Sequence, residues 1–408
     1  MSGSPKVVEL REYRVVELSR GEIPESAGQL LHNRFGDKVS VEPPSFKTDQ
    51  KWRFTSNGWV GYIPIDDSLG FSLQPKVELS DLFRMLEYAY NLKSFYFLEG
   101  LTNAGSLENF YERLAHVLAK RVMARARRGI YRTYLEEKDS LPYLRGSLSI
   151  NDQLRRMWRV NLACEFQEHS ADIEENQILT WTLDRIARSG ACTERVLPAV
   201  RLAYRVMYSA ARVQPFPSSA CVGRLYDRLN SDYEPMHALC RFFLENSGPA
   251  HESGDRQMLP FLVDMAMLFE RFVVEWLKTN CPRDARVESQ EPHHFGTAKS
   301  ITFRIDIVLR DAFTGDPFAI ADTKYKIPAG SPDSSDVAQV VAYAEAKGCS
   351  EAFLVYPADI ETPLDDRIGN IRVRSVSFSL DGDLERNGKD LLLKLLSARD
   401  GEPSNDVV

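Results

Sequence analysis

The sequence has few of the features that mark secreted, membrane-bound or zinc-binding proteins. Its six cysteines are scattered over 408 residues without a CxxC pair, so neither a zinc site nor a disulfide framework is indicated and reduced thiols are expected. Charged residues interrupt the amino terminus before any apolar run, so no signal peptide is expected. The longest apolar stretches are short, and the one at residues 261–269 contains Asp264, so no membrane span is predicted. These absences predict a soluble cytoplasmic protein.

The chain also lacks an excess of positive charge and a phosphate-binding loop. Its 51 basic and 58 acidic residues give a net charge of −7, which argues against coating nucleic acid by bulk charge but permits a local basic groove. Residues 296–300, GTAKS, are similar to the end of a P-loop. They lack the second glycine beside the lysine and the loop that would cradle phosphates, so no nucleotide site is predicted on this chain.

Length and residue pattern predict an α+β multidomain protein, because 408 residues are too many for one compact core. We predict a β-rich N-terminal module, a helical middle region, a C-terminal α/β domain with a mixed sheet, and a disordered tail. Their predicted ranges are 1–105, 106–250, 251–398 and 399–408. A flexible linker is predicted at residues 248–254, GPAHESG.

The N-terminal and middle regions are predicted from their hydrophobic periods. Short β-branched and aromatic runs separated by turn residues predict strands, Asn57-Gly58 predicts a hairpin, and Ser80 is a candidate helix cap. Apolar residues recur at helical spacing through the middle region. The predicted strands lie at 7–16, 52–54, 60–65 and 71–73, and the clearest helices at 107–122, 178–186 and 196–207.

Residues 301–326 carry the polar side chains with the clearest chemical meaning. They predict two strands joined by a turn around Gly315, with Asp306 on the first strand and Asp322 and Lys324 on the second. Two carboxylates on paired strands, with a lysine beyond one of them, can hold Mg²⁺ and aim a water at a phosphorus atom. The alternative is a surface hairpin in which Asp322 and Lys324 form an exposed ion pair.

The predicted neighbours of these strands add three polar candidates. Residues 261–277 predict a helix that is apolar nearly all round, which leaves Glu270 in need of a partner: a metal ion, Lys324, or a structural ion pair. Residues 336–347 predict a helix capped by Ser334 or Ser335 and ended by Gly348, with Gln339 and Tyr343 four residues apart on one flank. For Tyr343, simple packing is the alternative. A buried strand at 352–356, an edge strand at 371–378 and a helix at 389–397 are predicted to follow.

The pattern of Asp306 and then Asp322-Thr-Lys324 resembles the motif of the PD-(D/E)xK nuclease superfamily, as does the order helix, strand pair, helix, strand. The resemblance implies that Asp306 and Asp322 are Mg²⁺ ligands, with the Thr323 carbonyl as a third. It implies that Lys324 orients or activates the attacking water, that Glu270 contributes through water, and that Gln339 and Tyr343 position the phosphate. The motif's proline is absent, since Ile305 precedes Asp306, but proline is not a metal ligand.

A more specific resemblance extends over residues 60–360 and is to McrC, the nuclease subunit of McrBC restriction systems, which depend on modified cytosine. Several sequence blocks occur in that family's order. They are GYI at 61–63, LQPKV at 73–77, MLEYA at 85–89, LRGSL at 144–148, CEF at 164–166, ENQIL at 175–179, LFERFV at 268–273 and DTKYK at 322–326.

The McrC resemblance implies an antiphage endonuclease that cleaves DNA containing 5-methylcytosine together with an AAA+ GTPase hexamer, McrB. It implies that the N-terminal region docks on that ring, that the partner binds GTP, and that this chain stimulates its hydrolysis. Dimerisation through the nuclease domain or through the assembled complex is left open. The alternatives are a stand-alone RecB-like nuclease and an inactive adaptor that regulates the GTPase.

Basic residues interleaved with aromatics in the middle region are candidates for contacts with double-stranded DNA, since they can grip phosphates and stack on bases. Two further readings are a solvated helix face paired with acids such as Glu136 and Glu137, and a contact with a partner protein. The candidates are Lys120, Arg121, Arg125, Arg127, Arg128, Arg155 and Arg156.

Overall fold

A computed structural model describes residues 6–66, 68–90, 107–155, 158–248, 251–253, 256–258, 260–295, 301–326 and 330–399. The chain divides into two compact units. The first unit comprises Met1–Val8, Tyr62–Phe71 and Asn103–Leu262, and the second comprises Glu9–Gly61, Ser72–Thr102 and Val263–Val408. The four regions expected from the sequence stay a prediction, and residues 400–408 of the expected tail lie outside the described residues.

Strands occur along most of the described chain. They are β1 (Lys6–Arg11), β2 (Val15–Leu18), β3 (Val39–Glu42), β4 (Trp52–Ser56), β5 (Trp59–Pro64), β6 (Leu69–Gln74), β7 (Thr133–Leu141), β8 (Ser147–Leu148), β9 (Leu162–Ser170), β10 (His251–Ser253), β11 (Arg256–Met258), β12 (Phe261–Asp264), β13 (Ala285–Phe295), β14 (Ile301–Asp311), β15 (Pro317–Thr323), β16 (Glu351–Tyr356), β17 (Asp365–Ile368) and β18 (Ile371–Ser377).

Helices alternate with these strands, which confirms a mixed α/β fold. They are α1 (Glu25–Phe35), α2 (Leu79–Ala89), α3 (Leu107–Arg128), α4 (Ile150–Arg155), α5 (Glu174–Arg188), α6 (Leu197–Tyr208), α7 (Tyr233–Glu245), α8 (Met265–Asn280), α9 (Ser334–Lys347) and α10 (Leu384–Leu396), with short 3₁₀ helices at Phe46–Thr48 and Ser218–Cys221.

A six-stranded mixed sheet forms the centre of the second unit, in the order β13-β14-β15-β16-β18-β17. The β13–β14, β14–β15 and β17–β18 pairs are antiparallel, whereas β15–β16 and β16–β18 are parallel. Apolar side chains of β15 and β16 pack with Val340 of α9 in one core that includes Ile320 and Leu354. Helix α8 contacts β13 and β15 of the same sheet. The predicted strand pair, its turn and the mixed sheet are confirmed.

Helix α8 begins four residues later than its apolar period predicts. Residues 261–264 form β12, and the Asp264 carboxylate accepts hydrogen bonds from the amides of Ala266 (3.0 Å) and Met267 (3.1 Å). This capping fixes the helix start, because it satisfies two amides that have no partner within the helix. The helix is buried on most sides, but Met267 is exposed.

The predicted caps of two other helices are wrong. Helix α9 follows Asp333, not Ser334 or Ser335, and the Asp333 carboxylate pairs with Lys326 instead of capping the helix. Helix α2 follows Glu78, so Ser80 already lies within the first turn. The end of α9 is confirmed: Gly348 has a φ of 69°, a left-handed conformation that favours glycine at this position.

The carboxyl-terminal elements differ from their predictions in position. Strand β18 was expected at an edge, but it pairs with β16 and β17. Strand β17, which the sequence did not suggest because all four of its residues are exposed, forms the edge. Helix α10 begins at Leu384, since the Asp383 carboxylate accepts a hydrogen bond from the amide of Glu385 at 3.0 Å.

The amino-terminal strands are shorter and pair differently than expected. The run predicted at 7–16 breaks at Tyr13, which has a φ of 56°. Residues 57–58 do not form a hairpin, because β4 pairs with β2 and β3 whereas β5 lies next to β6. Helix α1 was not predicted at all.

In the first unit, α3, α5, α6 and α7 pack on one another, as the helical periods predict. A three-stranded antiparallel sheet in the order β7-β9-β8 lies within the region expected to be helical. The expected linker is also partly ordered, since β10 and β11 pair and the Gly248 amide donates to the Pro260 carbonyl at 2.9 Å. Residues 249, 250 and 254 lie outside the described part of the chain.

All six cysteines are free thiols, as expected, and only Cys281 is not fully buried. No helix among the described residues is long and apolar enough to span a lipid bilayer.

A buried histidine lies inside the first unit. His237 of α7 is fully buried, its Nε2 lies 3.0 Å from the Glu175 carbonyl oxygen, and its Nδ1 lies 2.8 Å from the Tyr226 hydroxyl. Because a carbonyl can only accept, Nε2 carries the proton and Nδ1 accepts from Tyr226. Burial lowers the pKa of His237 to about 4, with Glu175 partly offsetting this and Arg224 adding to it.

The first unit should therefore lose stability in mild acid. The unfolded chain binds this proton below pH 6.5, whereas the folded chain binds it only near pH 4. Above pH 6.5, where His237 is neutral in both states, its protonation does not reduce the free energy of unfolding. As the pH falls toward 4, that free energy decreases by up to about 3 kcal/mol. Denaturant unfolding between pH 4 and 7 measures this dependence. His237→Gln should flatten it, with the exposed His32→Gln as control, and an equally steep dependence in His237→Gln would contradict the assignment.

Candidate active site

The two aspartates of residues 301–326 meet in the middle of the six-stranded sheet. Ile307 pairs with Ala321, so the next position along this register places Asp306 opposite Asp322. Oδ2 of Asp306 accepts hydrogen bonds from the Thr323 amide and hydroxyl, both at 3.1 Å. Asp322 is 1% exposed. The carboxylate of Asp306 is thus held in place through its Oδ2.

Lys324 connects these carboxylates to α9. Its Nζ lies 2.7 Å from Asp322 Oδ2 and donates to Gln339 Oε1 at 2.9 Å. Nε2 of Gln339 in turn donates to the Tyr343 hydroxyl at 2.7 Å. The structure therefore brings together five of the six predicted catalytic residues in one connected network: Asp306, Asp322, Lys324, Gln339 and Tyr343.

Two charged residues that the sequence did not suggest join this network. Asp336, in the first turn of α9 and 7% exposed, has Oδ1 3.7 Å from Lys324 Nζ and Oδ2 2.7 Å from Lys326 Nζ. An acidic residue in a first helical turn has an ordinary structural explanation, so its sequence position gave no signal. Its location shows that Asp336 holds both lysines of the segment.

Glu270 of α8 has a hydrogen-bond partner that the sequence did not suggest, while its predicted interaction with a metal ion stays a prediction. The Gln290 side-chain amide donates to its carboxylate, while Lys324 forms its ion pairs with Asp322 and Asp336. Gln290 lies on β13 between the pairs Ser289–Ile307 and Glu291–Ile305, which is the position opposite Asp306, and its φ is 53°. A left-handed residue within a strand is unusual outside glycine, and nothing in the sequence indicated it.

The carboxyl groups of the site are poorly suited to carry their charges unaided. Burial raises the pKa of Asp322, and the neighbouring Asp306 raises it further. Burial also raises the pKa of Asp306, against the hydrogen bonds from Thr323. Burial, followed by the charge of Asp306, raises the pKa of Glu270 to about 7. Clustered acids with raised pKa values indicate that the site is short of positive charge.

A magnesium ion fits this arrangement. The carboxylates of Asp306 and Asp322 lie opposite each other on paired strands, with Lys324 Nζ 2.7 Å from Asp322 Oδ2, and carboxylate oxygens are the ligands that Mg²⁺ prefers. In the described part of the chain, no group of three or more His, Cys, Asp or Glu side chains is arranged to hold a metal ion. Asp306 and Asp322 would therefore need a backbone oxygen and water to complete the coordination, as Mg²⁺ sites commonly have.

The candidate DNA-binding residues lie in the first unit and differ in their surroundings. Arg125 Nη1 lies 3.0 Å from both the Leu229 carbonyl oxygen and Asp232 Oδ1, and Arg128 lies 3.3 Å from Asp232 Oδ2. Asp232, not Glu136 or Glu137, is therefore the acid that these arginines face. Arg121 is partly buried, Arg156 lies outside the described residues, and the remaining candidates are exposed: Lys120, Arg127 and Arg155.

Taken together, these observations define a mixed α/β protein with a buried cluster of carboxylates and a lysine in its six-stranded sheet. The chain belongs to the McrBC 5-methylcytosine restriction system component family, whose model matches residues 54–357. This match confirms the resemblance seen in the sequence blocks, and it covers the site from Glu270 to Tyr343. No match was found among curated proteins.

Solved structures of McrB–McrC assemblies are among those that resemble this chain. One, described as a refined half-complex from the tetradecameric assembly of Thermococcus gammatolerans McrB AAA+ hexamers with bound McrC, matches with a TM-score of 0.56 and 17% identity, over 95% of this chain and 100% of that chain. The likeness shows that the fold is shared. The T. gammatolerans McrBC complex matches with a TM-score of 0.42 and 17% identity, over 67% of this chain and 87% of that chain.

Proposed function

We propose that this chain is the nuclease subunit of a McrBC-like restriction complex, a Mg²⁺-dependent endonuclease that cleaves methylated foreign DNA with an AAA+ GTPase partner. One observation carries the proposal: Asp306 and Asp322 face each other on paired strands with the Lys324 ammonium 2.7 Å from Asp322. Helix α8, strands β13 to β15, helix α9 and strand β16 follow one another along the chain, which supports the helix, strands, helix, strand order expected of a PD-(D/E)xK core. The family match is the independent support.

In this proposal Asp306, Asp322 and the Thr323 carbonyl hold the metal. A bound Mg²⁺ supplies an acidified water and shields the charge that builds up on the scissile phosphate. Thr323 fixes one oxygen of Asp306, so that the carboxylate keeps its orientation. Glu270, oriented by Gln290, contributes through a water molecule.

Lys324 stabilises the negative charge of the transition state or orients the attacking water. Its ammonium is already held by Asp322 and Gln339, so little reorganisation is needed when the phosphate arrives. The Gln339–Tyr343 hydrogen bond fixes the amide that accepts from Lys324. Exposed Lys120, Arg127 and Arg155 are proposed to bind phosphates of double-stranded DNA.

An AAA+ GTPase hexamer is the proposed partner. In the T. gammatolerans assembly, McrB AAA+ hexamers have McrC bound, and the sequence blocks of this chain carry the same expectation. A segment with many exposed apolar side chains also favours a protein partner, since such patches mark interaction surfaces. Trp158 is 79% and Val160 96% exposed, and Leu144, Ile150 and Leu154 are exposed nearby in the sequence. GTP would bind to the partner.

The direct test is plasmid cleavage with the purified chain, using methylated and unmethylated DNA, Mg²⁺, and the partner with and without GTP. We expect cleavage of methylated DNA only when partner, GTP and Mg²⁺ are all present, together with faster GTP hydrolysis by the partner. GTP hydrolysis by the partner is measured in parallel without DNA.

Two other outcomes select the alternatives. Cleavage by the chain alone, independent of methylation, would identify a stand-alone RecB-like nuclease. Faster GTP hydrolysis without any cleavage would identify an inactive adaptor. Either result would contradict the proposed function.

A further inference from the structure

A charged cluster with Glu12 and Tyr325 at its buried centre and Tyr13 and Lys76 at its exposed edge lies in the second unit, directly beside the segment that carries Lys324. It consists of Glu12 and Tyr13 after β1, Lys76 after β6, and Tyr325, the residue that follows Lys324. Tyr325 is 5% exposed and its ring centroid lies 6.0 Å from that of Phe269 in α8. None of these side chains has a role in the proposed chemistry.

Glu12 supplies the negative charge of the cluster. It is 4% exposed, and its Oε2 accepts from the Lys76 amide at 2.8 Å and lies 3.4 Å from the Tyr325 hydroxyl, which donates to it. Its Oε1 is buried and accepts no hydrogen bond. A buried carboxylate that is only half satisfied is costly for folding, so its presence needs an explanation beyond packing.

Lys76 supplies the positive charge and contacts Tyr325 in two ways. Its Nζ donates to the Tyr325 carbonyl oxygen at 3.3 Å and lies 4.1 Å from the centroid of the Tyr325 ring. The Tyr13 ring lies 5.4 Å away. Lys76 is exposed as a whole residue, although desolvation near its ammonium lowers its pKa, an effect that the charge of Glu12 offsets in part.

We propose that Lys76 and Glu12 are positioning residues for Lys324. The amide of Lys324 donates to the Val355 carbonyl of β16 at 2.8 Å, and the carbonyl of the next residue is held by Lys76. The backbone of Lys324 is thereby fixed on both sides, which sets the direction of its side chain toward Asp322. Glu12 accepts from the Tyr325 hydroxyl and Lys76 Nζ donates to the Tyr325 carbonyl oxygen, so the two residues hold Tyr325 by its side chain and by its backbone.

This inference rests on the proposed nuclease function, and it is tested by hydrogen exchange as well as by cleavage. Lys76→Met keeps the length of the side chain and removes its charge, while Glu12→Gln with Lys76→Met leaves no uncompensated carboxylate. Lys76→Arg keeps a cation and is the conservative rescue. The control is Lys51→Met, which removes an exposed lysine 3.1 Å from Glu17 Oε2.

Exchange of the amides of residues 324–326 is followed by mass spectrometry in each variant. We expect about 10-fold faster exchange in Lys76→Met and in the double variant, with unfolding temperatures of the double variant and Lys51→Met close to that of the original protein. Single-turnover cleavage should slow by about 10- to 100-fold at unchanged DNA affinity, and Lys76→Arg should restore most of it.

The outcomes separate this inference from the proposed function. Unchanged amide exchange in Lys76→Met and in the double variant would overturn the positioning role whether or not the protein cuts DNA. Faster exchange with an unchanged cleavage rate would overturn it as well. If the original chain cuts no DNA under any condition, the nuclease proposal fails, and hydrogen exchange alone then decides whether Lys76 and Glu12 position the Lys324 segment.

Discussion

Replacing Asp306 with alanine should reduce Mg²⁺-dependent DNA cleavage by about 10³-fold or more, because one of the two carboxylates proposed to hold the metal is lost. The Thr323 amide and hydroxyl lose their acceptor in the same variant. Lys324→Ala should have a comparable effect, since no other described side chain lies as close to Asp322 Oδ2 with a positive charge. Cleavage is measured as the rate of plasmid linearisation under single-turnover conditions.

The matched control is Asp316→Ala, which removes an exposed aspartate in the turn between β14 and β15. It should cleave normally. All three variants should still assemble with the AAA+ partner and accelerate its GTP hydrolysis, because the site does not bind nucleotide. Retained Mg²⁺-dependent cleavage by Asp306→Ala or Lys324→Ala would contradict the assignment of the site.

Replacing Trp276 with alanine should destabilise the second unit by about 3–5 kcal/mol, the usual cost of emptying a large buried site. Trp276 of α8 is fully buried, its ring meets Phe378 edge-on with centroids 5.5 Å apart, and it lies against Gly388 of α10. A Cβ on Gly388 would lie only 2.4 Å from the indole, so the helices approach closely here and cannot refill the space without moving.

Urea unfolding monitored by circular dichroism measures this loss. Met267→Ala is the control, because it removes an exposed side chain from the same helix. It should change the free energy of unfolding by less than about 0.5 kcal/mol. A similar small change in Trp276→Ala would show that this core does not hold α8 in place, and with it Glu270.

The parts of the site that the sequence predicted are those encoded locally. Asp306 and Asp322 sit on strands with clear alternation and a clear turn, and Gln339 and Tyr343 are one helical turn apart, so their joint placement follows from short-range pattern. Lys324 and Gln339 were each predicted as site residues, but the hydrogen bond between them, across fifteen residues of sequence, was not predicted.

The missed residues depend on distant segments or on an irregular backbone. Tyr325 meets Glu12 across 313 residues and Lys76 across 249, and no local pattern joins positions so far apart. Gln290 donates to Glu270 from a position whose backbone is left-handed within a strand. The spacing of hydrophobic residues does not reveal such a backbone. A single sequence carries no direct signal for either kind of contact.

The fold shows the same division between local and non-local signals. The end of helix α9 at Gly348 and the buried strand β16 can both be predicted from residue type. Strand β7 was read as part of a helical region because its sequence TYLEEKDSL is mostly polar and most of its side chains are exposed. Such a strand is defined by its pairing with β9 along its whole length, and pairing of that kind cannot be seen in a short window.

The dependence of cleavage on Mg²⁺ tests the central claim most directly. The chain and its partner are preincubated in EDTA with methylated plasmid and GTP, and single-turnover cleavage is measured as Mg²⁺ is added in increasing amounts. GTP hydrolysis by the partner is measured in parallel at the same Mg²⁺ concentrations. The site described here predicts no cleavage in EDTA and a rate that rises with Mg²⁺ to a plateau, with the plateau absent in Asp306→Ala. Cleavage that persists in EDTA, or that is equally strong in Asp306→Ala, would contradict a metal-dependent centre built on Asp306, Asp322 and Lys324.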